Sequence, residues 1–106
     1  MTTGEWRPTE IEGVMERAVD ARADVRGSFA ELWRHGWTSE HIPGSFVQAN
    51  LSRSRAGTLR GMHVHQRQTD LWVLVEGRAF VVLTDLRPTV TRSPTVLTRH
   101  ATVGAT

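Results

Sequence analysis

Two hydrophobic rhythms divide the chain. Near the start, Ile11, Val14, Met15, Ala18 and Val19 fall at i, i+3, i+4, i+7 and i+8, with Thr9 placed as a cap. Periodicity alone therefore predicts a helix over about 10–22. From Phe29 onward the rhythm shortens. Phe29, Ala30, Leu32 and Trp33 form a short apolar run behind the turn-like Arg26, Gly27 and Ser28. Residues 35–44 carry Gly36, Pro43 and Gly44 and read as a loop. Residues 45–51 and 59–65 alternate with a period of two, and 71–75 is a continuous apolar run. Gly77 turns the chain into a β-branched stretch over 79–84. Pro88 and Pro94 bracket another turn, and 95–103 completes the set as a final strand. Short strands separated by close turn signals predict an all-β sandwich or barrel.

Composition narrows the function classes. The 106 residues suit one domain spanning 1–106, and 39% hydrophobic against 23% charged residues is ordinary globular composition. The isoelectric point near 10.9 suggests nucleic acid, but a net charge of +2 does not. All 13 basic residues are Arg, so few groups titrate between His and Arg and the isoelectric point is pushed upward. The densest basic group is Arg53, Arg55 and Arg60, too sparse for a nucleic-acid footprint. Zero cysteines exclude a disulfide framework and fit a reducing cytoplasm. No apolar run approaches a membrane span, and the first residues lack the pattern of a secretory signal. The expectation is a cytoplasmic protein with neither nucleic-acid nor membrane partners.

Chemistry concentrates at His63 and His65. His35, His41 and His100 read as solvated surface residues. On a strand, residues i and i+2 share a face about 6.5–7 Å apart, so two imidazoles can converge on one ligand. They can equally be two histidines on a solvent-facing strand, the commoner case for a bare His-x-His. The spacing around them tips the balance. Gly57 is followed after five residues by His63, then His65, then after four residues Asp70, and after six more Gly77. That pattern resembles the first sequence motif of the cupin superfamily, with Asp70 standing where the superfamily has Glu. The resemblance implies an all-β, cupin-type jelly-roll fold, an antiparallel β-sandwich or barrel that one chain can leave incomplete. Two imidazoles and a carboxylate also suit a divalent transition metal by ligand type, so His63, His65 and Asp70 form an alternative metal site.

A narrower resemblance covers 11–95. Ile11, Glu12, Gly13 and Val14 begin it, followed by the blocks 24–31 (DVRGSFAE), 46–54 (FVQANLSRS) and 57–63 (GTLRGMH). Asp85, Leu86 and Arg87, then Ser93, Pro94 and Thr95, complete it. In order and spacing these are similar to the dTDP-4-dehydrorhamnose 3,5-epimerase family. The resemblance places an early strand at 11–20, against the helical periodicity. It implies a dTDP-4-keto-6-deoxyhexose substrate, whose ketone acidifies the neighbouring C–H bonds, and no cofactor. His63 matches the family's catalytic base, and Arg60 the arginine at the diphosphate. Arg26, Phe29 and Glu31 match a segment that reaches the nucleotide site from a neighbouring subunit. Gln48 and Asn50 match residues lining the same pocket. A structural reading stands beside each: Asp24 and Arg26 as a turn salt bridge, Gln48 and Asn50 as cross-strand hydrogen bonders.

Departures from the family pattern are specific. Val64 and His65 replace a Tyr-Gln pair. Asp70 stands where a lysine is expected to stabilise the enolate oxygen, reversing the charge such a group supplies. The sequence has no tyrosine to act as the family's acid. The His-x-His form is similar instead to cupin sugar 3,4-ketoisomerases, in which paired histidines shuttle a proton; Asp70 would then orient one ring. Three functions follow as expectations: a sugar-nucleotide epimerase or isomerase, a metal-binding cupin, and a non-catalytic sugar-nucleotide binder. A homodimer is expected in each case, with Trp6, Trp33 and Trp37 as contact candidates.

Overall fold

The computed structural model of the protein describes residues 4–88 and 94–103. The expected turn between Pro88 and Pro94 falls largely outside them. The amphipathic stripe near the start does not become a helix. The Thr9 hydroxyl, instead of capping one, accepts from the Ile11 N–H (3.2 Å) and donates to the carbonyl of Val14 (2.8 Å). Val14 N–H closes on the Ile11 carbonyl at 3.0 Å, and Gly13 turns through φ +88°. Local side-chain bonds and a left-handed glycine thus compete successfully with the helix. Flanking this turn, β1 (Arg7–Pro8) pairs antiparallel with β2 (Met15–Glu16). The early strand implied by the family resemblance is therefore present only in part.

A second ribbon joins β3 (Ala21–Asp24) to β4 (Gly27–Ala30) through a turn at Val25 and Arg26. The Asp24 carboxylate accepts the Arg26 backbone N–H at 2.8 Å, which fixes that turn. The third and longest ribbon pairs β5 (Gly77–Thr84) with β6 (Val96–Val103) in full register. Its two faces differ. Ala79↔Ala101, Val81↔Arg99 and Leu83↔Leu97 lie on the more sheltered face, while Arg78↔Thr102, Phe80↔His100 and Val82↔Thr98 are exposed. His100 is not merely solvated: its ring stacks on Phe80, with centroids 4.6 Å apart. Ile11 and Leu97 are the buried hydrophobic side chains among the described residues.

The chain divides into two compact units, one made of Met1–Leu32 with Val73–Thr106 and the other of Trp33–Trp72. All three ribbons belong to the first. The second holds α1 (His35–Thr38), where a loop was expected, locked by the Trp33 indole N–H on the Thr38 hydroxyl at 3.1 Å. Trp33 also meets Phe46 edge-on at 5.7 Å, so it packs within its own unit. Trp6 and Trp37 are likewise engaged locally, beneath the guanidinium groups of Arg17 and Arg34.

The strands expected over 45–51, 59–65 and 71–75 do not form. A segment with strand-like alternation becomes a strand only when its N–H and C=O groups find a ladder partner, and no ladder engages these segments among the described residues. Several of their apolar side chains stay in water, Val47 94%, Leu59 87% and Met62 75% exposed, while Phe46, Leu71, Val73 and Leu74 are half-buried. The class is all-β, with strands in antiparallel pairs and one four-residue helix. No helix among the described residues is long and apolar enough to cross a membrane.

Candidate functional site

Two consecutive loops carry the chemistry of the second unit. The first turns at Gly57, whose φ of +80° only glycine adopts freely, and the Thr58 N–H bonds the Arg55 carbonyl at 3.2 Å. Arg60 then reaches back across the loop. Its Nε donates to Ser54 Oγ at 2.7 Å and its Nη2 to the Arg53 carbonyl at 3.1 Å. Three donors of the guanidinium fork remain for an anion. Ser54, named in the sequence only as part of a matching block, thus sets the angle of Arg60.

Past Arg60 the chain runs through His63 and bends at Gln66 and Arg67. The bend folds 68–70 back towards His65, whose Nε2 stands 3.2 Å from Asp70 Oδ2. The other carboxylate oxygen, Oδ1, accepts from the Gln68 side-chain amide at 3.2 Å. Both side chains are partly exposed, at 41% and 32% of their surface. His63 differs. Among the described residues its imidazole makes no hydrogen bond, ion pair or ring contact, and it is exposed. The strand that would have aimed both imidazoles to one side is not formed. Gln48 and Asn50 meet at 3.5 Å, side by side along one segment and not across strands.

The donor set for a metal is not assembled. His65 Nε2 is committed to Asp70, and among the described residues no three His, Cys, Asp or Glu side chains group so as to hold an ion. The alternative built on His63, His65 and Asp70 is therefore not favoured.

Arg26, Phe29 and Glu31 lie in the first unit, on the β3–β4 ribbon and just beyond it. Arg26 forms the expected turn salt bridge, its Nη2 2.6 Å from Asp24 Oδ2. These hydrogen bonds hold the Asp24 carboxyl below its usual range and the Arg26 guanidinium above its own. Phe29 is 69% exposed, and Glu31 is exposed as well. A shallow cavity of about 260 Å³ also lies in this unit, lined by Arg78, Phe80, His100 and Thr102 among others. None of the expected site residues lines it.

Comparison with known proteins bears on the chain as a whole. A family model described as dTDP-4-dehydrorhamnose 3,5-epimerase matches residues 8–103. The chain is 42% identical over 77 residues to the spore coat polysaccharide biosynthesis protein SpsL of Bacillus subtilis, covering 73% of this chain and 49% of that protein. It is 41% identical over 86 residues to a dTDP-4-dehydrorhamnose 3-epimerase of Streptomyces niveus, covering 76% and 42%. To the dTDP-4-dehydrorhamnose 3,5-epimerase of Escherichia coli it is 40% identical over 86 residues, covering 76% and 46%. The chain thus spans about half the length of the curated relatives it matches. No solved structure matches it.

Proposed function

The chain belongs to the dTDP-4-dehydrorhamnose 3,5-epimerase family, and on that premise we propose that it binds a dTDP-4-keto-6-deoxyhexose and removes a proton next to the ketone, with His63 as base. One observation carries this reading. The His63 imidazole, six residues past Gly57, is exposed and without a partner among the described residues. A neutral imidazole in that state has a lone pair free for general base work near neutral pH. It takes the proton from C3 or C5; the bonding pair moves into an enolate delocalised onto the C4 oxygen. A proton supplied by solvent to the opposite face inverts the carbon, and His63 releases its own proton to solvent. Arg60, braced by Ser54, offers its remaining donors to the diphosphate.

The nucleotide end is proposed to involve Arg26, Phe29 and Glu31 from a second copy of the chain, with Gln48 and Asn50 lining the pocket. The outward position of Phe29 suits donation to a neighbour. On this reading the protein is a homodimer that works in the cytoplasm without a cofactor.

A second reading draws on the His65–Asp70 pair. A ketone shift between C3 and C4 passes through an enediol and needs a group that moves a proton between adjacent carbons. A histidine backed by a carboxylate 3.2 Å away suits that work. Incubation with a dTDP-4-keto-6-deoxyhexose in heavy water separates the cases. Epimerisation puts deuterium at C3 or C5 with the ketone still at C4, whereas isomerisation moves the ketone to C3. His63→Ala is expected to lower exchange by about 10²–10⁴-fold, the usual contribution of a general base. If the unaltered protein neither incorporates deuterium nor moves the ketone after long incubation, both readings are overturned.

A further inference from the structure

Taking the histidine pair as the reacting groups of the proposed site, we infer that Gln68 is a positioning residue: it holds the Asp70 carboxylate, which in turn holds His65 protonated at Nε2 and leaves Nδ1 to exchange the substrate's proton.

The inference starts from which atoms are taken. Asp70 has two carboxylate oxygens in play. Oδ1 accepts the Gln68 amide at 3.2 Å, and Oδ2 faces His65 Nε2 at 3.2 Å. A carboxylate only accepts, so the Gln68 group facing it is the NH2 and the His65 nitrogen facing it is the one that bears hydrogen. In neutral His65 the lone pair is then on Nδ1.

Gln68 matters because of where this pair sits. The loop has no ladder on either side of the bend at 66–67, and Asp70 is partly in water. Nothing in regular secondary structure fixes the Asp70 rotamer. The Gln68 amide supplies the second point of attachment, so the carboxylate is gripped at both oxygens instead of pivoting on one. All three residues lie within 65–70 of one loop, making the device local and independent of any other element.

The proton traffic balances without a co-reactant. Nδ1 takes a proton from the carbon beside the ketone, leaving the electron pair in the enolate. His65 becomes an imidazolium, and its new positive charge lies beside the Asp70 carboxylate already held in place. Nδ1 then delivers that proton to the adjacent, former carbonyl carbon while the C3 hydroxyl proton passes to the enolate oxygen at C4, so the ketone stands at C3 and the ring is neutral again. Asp70 keeps its charge throughout. His63, which has no such partner, remains free to serve as the other base.

Three variants of the full chain test this. Gln68→Glu is close in shape but only accepts, so it repels Asp70. Gln68→Lys restores a donor. Asp70→Asn removes the charged acceptor. In a two-bond nitrogen–proton NMR spectrum recorded where the imidazoles are neutral, His65 should read as the Nε2–H tautomer in the unaltered protein. Gln68→Glu should move it towards the mixture of a free histidine, Gln68→Lys should restore it, and His63 should not change. In heavy water, Gln68→Glu should slow deuterium incorporation about tenfold, a fraction of what a general base contributes, with the KM for the sugar nucleotide unchanged. In an Asp70→Asn background it should slow it no further, because both substitutions break one relay. A His65 tautomer indifferent to Gln68→Glu overturns the inference while leaving the proposed function untouched. If the unaltered protein neither exchanges deuterium into the sugar nor moves its ketone, the proposed function is overturned, and the catalytic part of this inference with it.

Discussion

Asp-x-Arg occurs three times in this chain, and the copies at Asp24 and Asp85 fold into the same clamp, while Asp20 and Arg22 form a looser exposed pair at 3.6 Å. At Asp24 and Arg26 the carboxylate accepts one backbone N–H and the guanidinium two residues on. At Asp85 and Arg87 it does so again, with the Arg87 backbone N–H at 3.0 Å, Nε at 2.8 Å and Nη2 at 2.8 Å. The second clamp also reaches across its unit, since Arg87 Nη2 donates to the Glu12 carbonyl at 2.6 Å. The Arg87 side chain and then its backbone N–H hold the Asp85 carboxyl down at about 2. A carboxyl lowered in the fold stabilises it above the unfolded value, near 3.9, and that contribution disappears as pH falls through the folded value. The clamp should therefore act in full above about pH 4 and be lost between there and about 2. Arg87→Ala should move the Asp85 titration up towards the ordinary carboxylate range, with the residue-87 backbone N–H still lowering it in part, as carboxyl-carbon NMR would read directly. An Asp85 midpoint that does not move in Arg87→Ala would contradict this account. The first clamp was legible, since Asp24 and Arg26 read as a turn salt bridge beside Gly27, whereas Asp85 and Arg87 stood in the sequence only as part of a matching block. Gln68 and Ser54 were not legible as site residues. Each acts on its partner through a fold-back of the loop, which no periodicity announces.

Elements differ in how far their own sequence determines them. The β5–β6 ribbon was readable because β-branched runs at 79–84 and 95–103 meet each other within one hairpin, so each supplies the other's ladder. Alternation over 45–51 and 59–65 is just as clear, yet these segments lack a ladder among the described residues. Period-two patterning specifies which face a strand would bury; it does not supply the neighbouring strand. The helical stripe at 11–19 failed for the opposite reason, since Thr9 and Gly13 offered bonds and a backbone turn more local than a helix. Amide hydrogen exchange should map this contrast. Ladder amides within Gly77–Thr84 and Val96–Val103 should exchange at least about tenfold more slowly than those of 45–52 and 59–65, as paired backbone does relative to open loops. Arg99 adds a further tie: from β6 its Nε and Nη2 grip both carboxylate oxygens of Glu16 at 3.0 and 3.1 Å, and Nη2 reaches Glu10 at 3.1 Å. Arg99→Ala should therefore speed exchange at the Thr9 N–H, which closes the β1–β2 turn on Val14, more than in the middle of β5. Uniform exchange across all these segments would refute the contrast.

At the scale of the whole chain, the scarcity of buried apolar side chains bears on how the proposed function should be tested. Ile11 and Leu97 are each 5% exposed, and no large side chain among the described residues is fully buried. Hydrophobic burial is the main stabilising contribution to a fold, and with little of it among the described residues a ligand held by the folded state should raise the stability visibly. A ligand at a hundred times its Kd adds about 2.7 kcal/mol. For a domain near 100 residues each kcal/mol moves the midpoint by about 4–8 °C. Saturating dTDP should thus raise the unfolding midpoint by roughly 10–20 °C. Inorganic phosphate at the same concentration should do far less, because it lacks the base and sugar. Arg60→Ala should remove most of the rise while leaving the midpoint without dTDP little changed, since the Arg60 bonds to Ser54 and Arg53 are exposed. This measurement separates two proposals that the family match alone leaves together, given that the chain spans about half of its relatives. A dTDP-dependent rise accompanied by deuterium exchange into the sugar supports the enzyme. A rise with neither exchange nor a moved ketone identifies a chain that binds the nucleotide and does not turn the sugar over. No rise, with no exchange, removes the sugar nucleotide from the account altogether.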